Sequence, residues 1–139
     1  MADYVVDASV ILKWVIGDRD EPDQAKAVEL LTGWAEGRND LSAPALWEYE
    51  VANFLGRELP DEAERKMEML RRLEIRSVAM TDAMIKRCFQ WMKTKKATFY
   101  DASYLALAVE TGAVLVTADE KFVKKMDKAE SLAALKDLT

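Results

Sequence analysis

The sequence predicts an α/β fold with a mostly parallel sheet, on three observations. Short β-prone runs alternate with helical stretches along the chain, the pattern of βαβ units. The length, 139 residues, suits one domain with a real core and is too short for two ordinary ones. No repeat, low-complexity tract or linker rich in Pro, Gly or Ser divides it, so residues 1–139 are expected to form a single domain.

The elements follow in order. Tyr4-Val5-Val6 is a strand ending at Asp7. Ala8 to Ile16 is an apolar helix with Lys13 inserted, and Gly17 is its stop. Asp23 to Glu36 places Ala27, Leu30, Leu31 and Trp34 on one helical face. Gly37 to Asp40 is a turn, and Leu41-Ser42-Ala43 a short strand. Pro44 suits the first turn of a helix running to about Gly56. Pro60 opens a helix with Met67, Leu70 and Leu73 as its stripe. Ile75 to Met80 is a strand. Thr81-Asp82 caps a helix to about Lys93, with Met84, Ile85, Phe89 and Met92 inward, and Lys93 to Lys96 is a basic loop. Asp101 to Thr111 is an apolar helix closed by Gly112. Ala113 to Thr117 is the clearest strand, and a short helix runs from Asp119 through Met126. The tail, Glu130 to Thr139, fits either a helix or a last strand.

Composition removes several chemistries. With no histidine and one cysteine, Cys88, the chain lacks a Ser-His-Asp triad, a Cys-His pair, a CxxC redox pair and the usual zinc sites. No GxGxxG or GxxxxGK[ST] occurs among its five glycines. Carboxylates remain as the reactive groups: 25 Asp plus Glu against 20 Lys plus Arg, a net charge of −5. That balance argues against a general nucleic-acid binder. No apolar run reaches the roughly 18 residues of a membrane span. The N-terminus has no signal-peptide pattern, so a cytoplasmic protein is expected.

Four acids stand in apolar surroundings: Asp7, Glu50, Asp101 and Asp119. Asp7 and Asp119 follow strands, where parallel sheets bind ligands. At about 100° per residue Glu50 projects between Leu46 and Phe54, at the edge of the apolar stripe, while Glu48 points about 160° away. An ionised carboxylate beside a core is costly without a partner, and a divalent cation is the strongest one available. Asn53, one turn on, is placed to orient Glu50 or meet a ligand. Asp7, Asp101 and Asp119 each also fit a plain N-cap of the helix that follows.

These segments resemble the PIN domain, and within it the small VapC-type toxin ribonucleases. The pattern is carried by Asp7 with Ser9; Pro44 with Glu50, Val51, Asn53 and Leu55; Tyr100-Asp101-Ala102 with Tyr104 and Ala108; and Leu115-Val116-Thr117 with Asp119 and Phe122. All four stretches occur in order, and the likeness runs from residue 3 to about 123. The tail after Met126 is less like the family's last strand.

The resemblance implies a three-layer α/β/α sandwich with about five strands, and metal-dependent cleavage of RNA at an acidic pocket. Asp7, Glu50, Asp101 and Asp119 would form the acidic set, with Ser9, Asn53 and Thr117 as secondary polar groups. All-oxygen ligands suit Mg²⁺ or Mn²⁺, and metal-activated water would hydrolyse the phosphodiester, leaving a 5′-phosphate and a 3′-hydroxyl. Glu50 stays open between metal ligand and proton acceptor. Bound divalent ions would offset the four site charges, and the loop lysines, with Lys95, Lys96 and Lys121 foremost, are candidates for phosphate contact. Partners implied are an RNA substrate, a cognate antitoxin whose C-terminal segment fills the groove, and a second copy in a homodimer. Two alternatives stay open: an RNA-processing PIN nuclease outside a toxin–antitoxin pair, and a non-catalytic module of the same fold. A haloacid dehalogenase-like phosphotransferase or a receiver domain would need a further acid where Ala8-Ser9 stands.

Overall fold

The structure is a computed structural model, and it describes residues 2–16, 22–127 and 129–138. The elements are β1 (Ala2–Val6), α1 (Ala8–Lys13), α2 (Gln24–Ala35), β2 (Asn39–Pro44), α3 (Trp47–Glu58), α4 (Ala63–Arg72) and β3 (Arg76–Val78). They continue with α5 (Asp82–Lys95), α6 (Phe99–Thr111), β4 (Val114–Thr117), α7 (Glu120–Lys125), β5 (Leu132–Ala134) and a 3-10 turn, Leu135–Asp137. Five strands make one sheet in the order β3-β2-β1-β4-β5, and every neighbouring pair is parallel. The α/β class with about five parallel strands is as the sequence predicts.

The strand order fixes where a site can be. The chain builds outward from β1 to β2 and β3, then returns to lay β4 and β5 on the other side. The order therefore reverses between β1 and β4, and a crevice opens beyond their carboxyl ends. Helices cover both faces: Val5 and Val6 point to opposite sides of the sheet, yet neither is exposed. The same holds for Leu115 and Val116. Helix α6 is buried at every position from Ala102 to Ala108, as a helix apolar on all sides must be. It packs on β1, β2 and β4.

Several expected boundaries shift, each for a local reason. Helix α1 stops at Lys13, with Trp14 as its C-cap; the expected stop, Gly17, lies outside the described residues. Asn39 and Asp40 belong to β2 rather than to the turn, because they pair with Ala2 and Asp3 of β1. Pro44 closes β2 instead of opening the next helix, which begins at Trp47. The pairing of β2 with β1 ends at Ser42, so the missing N–H of Pro44 costs no ladder bond there. Similarly, α4 begins at Ala63, past Pro60, and β3 is trimmed to Arg76–Val78. Thr81 caps α5 by accepting from the Met84 N–H at 3.2 Å, as expected, but α5 runs through the basic segment to Lys95.

Two inward assignments on α5 fail. Met84 and Cys88 are buried, whereas Phe89 and Met92 are exposed. Helix α6 starts two residues early, at Phe99, because Thr98 supplies the cap. Gly112 ends it in the left-handed conformation, φ 71°. The tail resolves as a strand, β5 pairing with β4 from Leu115↔Leu132 to Thr117↔Ala134.

Helix α3 carries Glu50, and its anchor is apolar. Trp47, Val51 and Leu55 are its buried residues, and the Trp47 indole N–H donates to Ser77 of β3 at 2.8 Å. Lys66 of α4, also buried, donates to the Val15 carbonyl just past α1 and lies 3.6 Å from Glu62. Leu55→Ala should therefore cost about 2–5 kcal/mol. In urea unfolding the midpoint falls with the slope unchanged; an unmoved midpoint would mean that α3 is not held by this contact.

Candidate active site

Asp7 is the N-cap of α1 and accepts from the Val10 N–H at 3.3 Å. Capping is thus a real part of its role, but its two oxygens do more. Ser9 donates to Oδ1 at 2.5 Å, and Thr117, at the end of β4, donates to Oδ2. Each hydroxyl then accepts a backbone N–H from the turn after β4. Ser9 takes that of Ala118 at 3.0 Å, and Thr117 takes that of Asp119 at 3.0 Å. The two hydroxyls therefore tie the end of β1 to the end of β4 through the Asp7 carboxylate. Asp119 caps α7, accepting from the Phe122 N–H at 3.1 Å.

Asp101 does not cap its helix. The cap is Thr98, whose hydroxyl accepts the Asp101 N–H at 3.1 Å, which leaves the Asp101 carboxylate in the first turn, facing out. Glu50 is half-buried, as its place at the stripe edge predicts, and Glu48 turns away to Arg71 at 3.7 Å. Glu50 is held by the Tyr104 phenol, which donates to Oε1 at 2.6 Å. Asn53 is exposed and does not take part in that bond.

The four acids act on one another. Burial pushes Asp7 up to about 6, against its Ser9, Thr117 and Val10 hydrogen bonds, and the charge of Asp101 adds to the rise. Burial also raises Glu50, opposed by the Tyr104 bond and reinforced by Asp101. Asp101 is raised by burial first and by Asp119 next, while Lys125 pulls it down. Burial and the neighbouring acids Glu50, Asp7 and Asp101 keep the Tyr104 phenol protonated, so it stays a donor. The result is a set of like charges on which Lys125 acts at Asp101.

Such a set fits a hard divalent cation in charge and in donor atoms. Among the described residues no three acidic or thiol groups come together in a way that could hold one metal ion. Mg²⁺ does not demand three, since it keeps several waters beside one or two carboxylates.

Of the sequence-predicted site residues, the structure brings Asp7, Ser9 and Thr117 into direct contact, Asp101 acts electrostatically on Asp7 and on Glu50, and Asp119 acts on Asp101. Lys95 and Lys96 sit at the end of α5, and Lys121 in the first turn of α7, all exposed. The lysine acting on Asp101 is instead Lys125, whose ammonium also donates to the Lys96 carbonyl at 3.4 Å. Lys125 belongs to the lysine cluster after Asp119 that the sequence already offers for phosphate contact, whereas the role of Tyr104, quoted above only as part of the pattern, as the holder of Glu50 is missed by a reading of motifs. Tyr104 could have been found from its spacing, since i and i+3 put it on the same helical face as Asp101.

The comparisons agree with this architecture. The PIN domain family profile matches residues 4–128. The chain belongs to the PIN domain family. No curated protein matches it by sequence. Among solved structures, PAE2754 from Pyrobaculum aerophilum is similar at 22% identity and a TM-score of 0.66, covering 97% of this chain and 90% of that one. VapC20 of Mycobacterium tuberculosis, described as a sarcin-ricin loop cleaving toxin, has 16% identity and a TM-score of 0.64, with 87% and 93% covered. A toxin-antitoxin complex from Klebsiella pneumoniae has 16% identity and a TM-score of 0.69, with 97% and 99% covered. At these identities the likeness establishes the fold, a PIN fold shared with VapC toxins. Among the described residues no helix is long and apolar enough to cross a membrane.

The raised Asp7 has a consequence for stability. Folded Asp7 holds its proton up to about pH 6, against 3.8 for the ordinary group. Between those values the folded state binds more protons, so stability falls as pH rises. The effect is at most about 3 kcal/mol, and less because the carboxylate is partly open to solvent. In EDTA the wild type should lose thermal stability from about pH 4 to pH 6 relative to Asp7→Asn. Parallel pH profiles for the two proteins would refute the burial argument.

Proposed function

We propose that this PIN domain is a Mg²⁺- or Mn²⁺-dependent endoribonuclease, the toxin of a type II toxin–antitoxin pair. The observation that carries the reading is the Asp7 carboxylate locked by Ser9 and Thr117 beside the strand-order reversal, with Asp101 acting on both Asp7 and Glu50. Asp7, Asp101 and Asp119 would hold the ion, with Glu50 beside them. Bound there, it would supply Lewis acidity at a phosphoryl oxygen and lower the pKa of water.

The remaining chemistry falls to the chain. Ser9 and Thr117 spend their protons on Asp7, so its other lone pairs point out of the sheet toward a ligand. Glu50 is fixed on one oxygen by Tyr104, which leaves the second free to accept a proton from the attacking water or to join the ligands. Lys125, acting on Asp101 at the rim, is placed to meet a phosphate of the RNA strand. The likeness to the VapC20 toxin and to a toxin-antitoxin complex supports a toxin restrained by an antitoxin; the cytoplasmic location and the homodimer are proposed on the family resemblance alone. The chain keeps all four acids, which speaks against the non-catalytic alternative.

The direct test is cleavage of a mixed pool of single-stranded and structured RNAs with Mg²⁺ or Mn²⁺. Cleavage should vanish in EDTA and in Asp7→Asn or Asp101→Asn, with each variant folded. The absence of both cleavage and calorimetric metal binding in the wild type would overturn the reading. Tyr104→Phe removes one hydrogen bond to a charged group, a loss of about 1.5–3 kcal/mol. It should slow cleavage by roughly ten- to a hundred-fold with the fold kept, and unchanged turnover would mean that Glu50 needs no such support.

A further inference from the structure

Helix α5 carries a feature that the core does not explain. Its buried face is set by Met84 and Cys88. At 100° per residue Lys86, Phe89, Gln90 and Lys93 fall on the opposite face, and all four are exposed. Phe89 is 59% exposed, an unusual place for a phenylalanine on an amphipathic helix. It leans on Phe99 of α6, ring centroids 5.4 Å apart at 53°. The next residue, Tyr100, is 63% exposed and adjoins Asp101. The ion pair that α5 makes among the described residues, Arg87 with Glu110 at 2.5 Å, lies on the flank and leaves Lys86 and Lys93 to solvent.

This stripe leads to the acids. From Lys86 to Lys96 it is about 15 Å long at 1.5 Å per residue. It ends where the Lys96 carbonyl meets the Lys125 ammonium, the cation that acts on Asp101. We propose that the exposed Lys86–Phe89–Lys93 face of α5, continued by Tyr100, Lys96 and Lys125, is the path by which single-stranded RNA reaches the acidic site. Bases stack on Phe89 and Tyr100 while the lysines meet successive phosphates, the two elements that single-strand binding surfaces combine. On a chain of net charge −5, the stripe carries one acid, Asp82, at its far end one turn before Lys86, and from Lys86 to Lys96 its exposed face is basic and aromatic. A second copy fits this face poorly. Two-fold pairing sets a patch against itself, and here it would press Lys86 and Lys93 toward their own counterparts.

The path rests on the RNA-cleaving reading above, and its test separates the two. Binding is measured in the full chain carrying Asp7→Asn, so that the RNA stays intact. The probe is a labelled single-stranded RNA of mixed sequence, on the order of 16 nucleotides, followed by fluorescence anisotropy at several salt concentrations. Phe89→Ala should weaken binding about ten-fold, the size of one lost stack. Lys86→Ala with Lys93→Ala should weaken it and flatten the slope of log K against log salt by about 1.4, or 0.7 per lysine. Arg65→Ala, an exposed charge on α4, should leave both unchanged. All these side chains are exposed, and circular dichroism verifies that the variants stay folded. Unchanged affinity and slope in the α5 variants, while the wild type still cleaves RNA, overturns the path and leaves the nuclease standing. A shift from dimer to monomer on Phe89→Ala, with RNA binding intact, assigns the face to a second copy and also overturns it. No RNA binding by the Asp7→Asn protein and no cleavage by the wild type defeats the parent reading and the path together.

Discussion

The parallel pairing of β1 with β4 is the constraint from which the rest follows. It sets Val6 beside Val116 and so brings the residues just past them, Asp7 and Thr117, within hydrogen-bonding reach. No loop closure or induced fit is needed for that contact, because it is built into the register of two central strands. Ser9 completes it from the first turn of α1, and the backbone N–H groups of Ala118 and Asp119 close both hydroxyl relays. A carboxylate in this position accepts three donors at once, which fixes its orientation to within the tolerance of the sheet.

That fixation comes with an electrostatic imbalance. The partners of Asp7 are hydroxyls and an amide, not cations, so burial outweighs them and the carboxylate holds its proton well above the usual range. Glu50 and Asp101 are raised for the same first reason. Groups whose pKa is pushed by burial and by one another, in a crevice at a strand-order reversal, mark a functional site more often than a structural one. Helix α6 makes the cluster possible. Its apolar surround anchors it against three strands, and from this rigid support it presents Asp101 outward and Tyr104 to Glu50.

Much of this was legible along the chain because local physics determined it. The alternation of strands and helices, the Thr81 cap, the Gly112 stop and the position of Glu50 at a stripe edge are properties of residues within a turn or two of each other. The places where the reading went astray depended on partners far away. Pro44 reads as a helix start until β3 is known to lie beside it and β1 is known to have ended its pairing at Ser42. Phe89 reads as core until the depth of α5 is known. Asp101 reads as a cap along the chain, and only the backbone path, which starts the helix at Phe99, gives that role to Thr98.

The sequence by itself determined the fold class and singled out four acids in apolar surroundings as the candidate site, since those depend on residue types and on spacing within each segment. Only the tertiary structure decided which groups touch. The Ser9–Asp7–Thr117 clamp spans 110 residues, the Tyr104–Glu50 bond spans 54, and Lys125, which acts on Asp101, donates to the Lys96 carbonyl 29 residues away. Contacts at such separations are set by strand order and helix packing, to which no local pattern in the chain gives access.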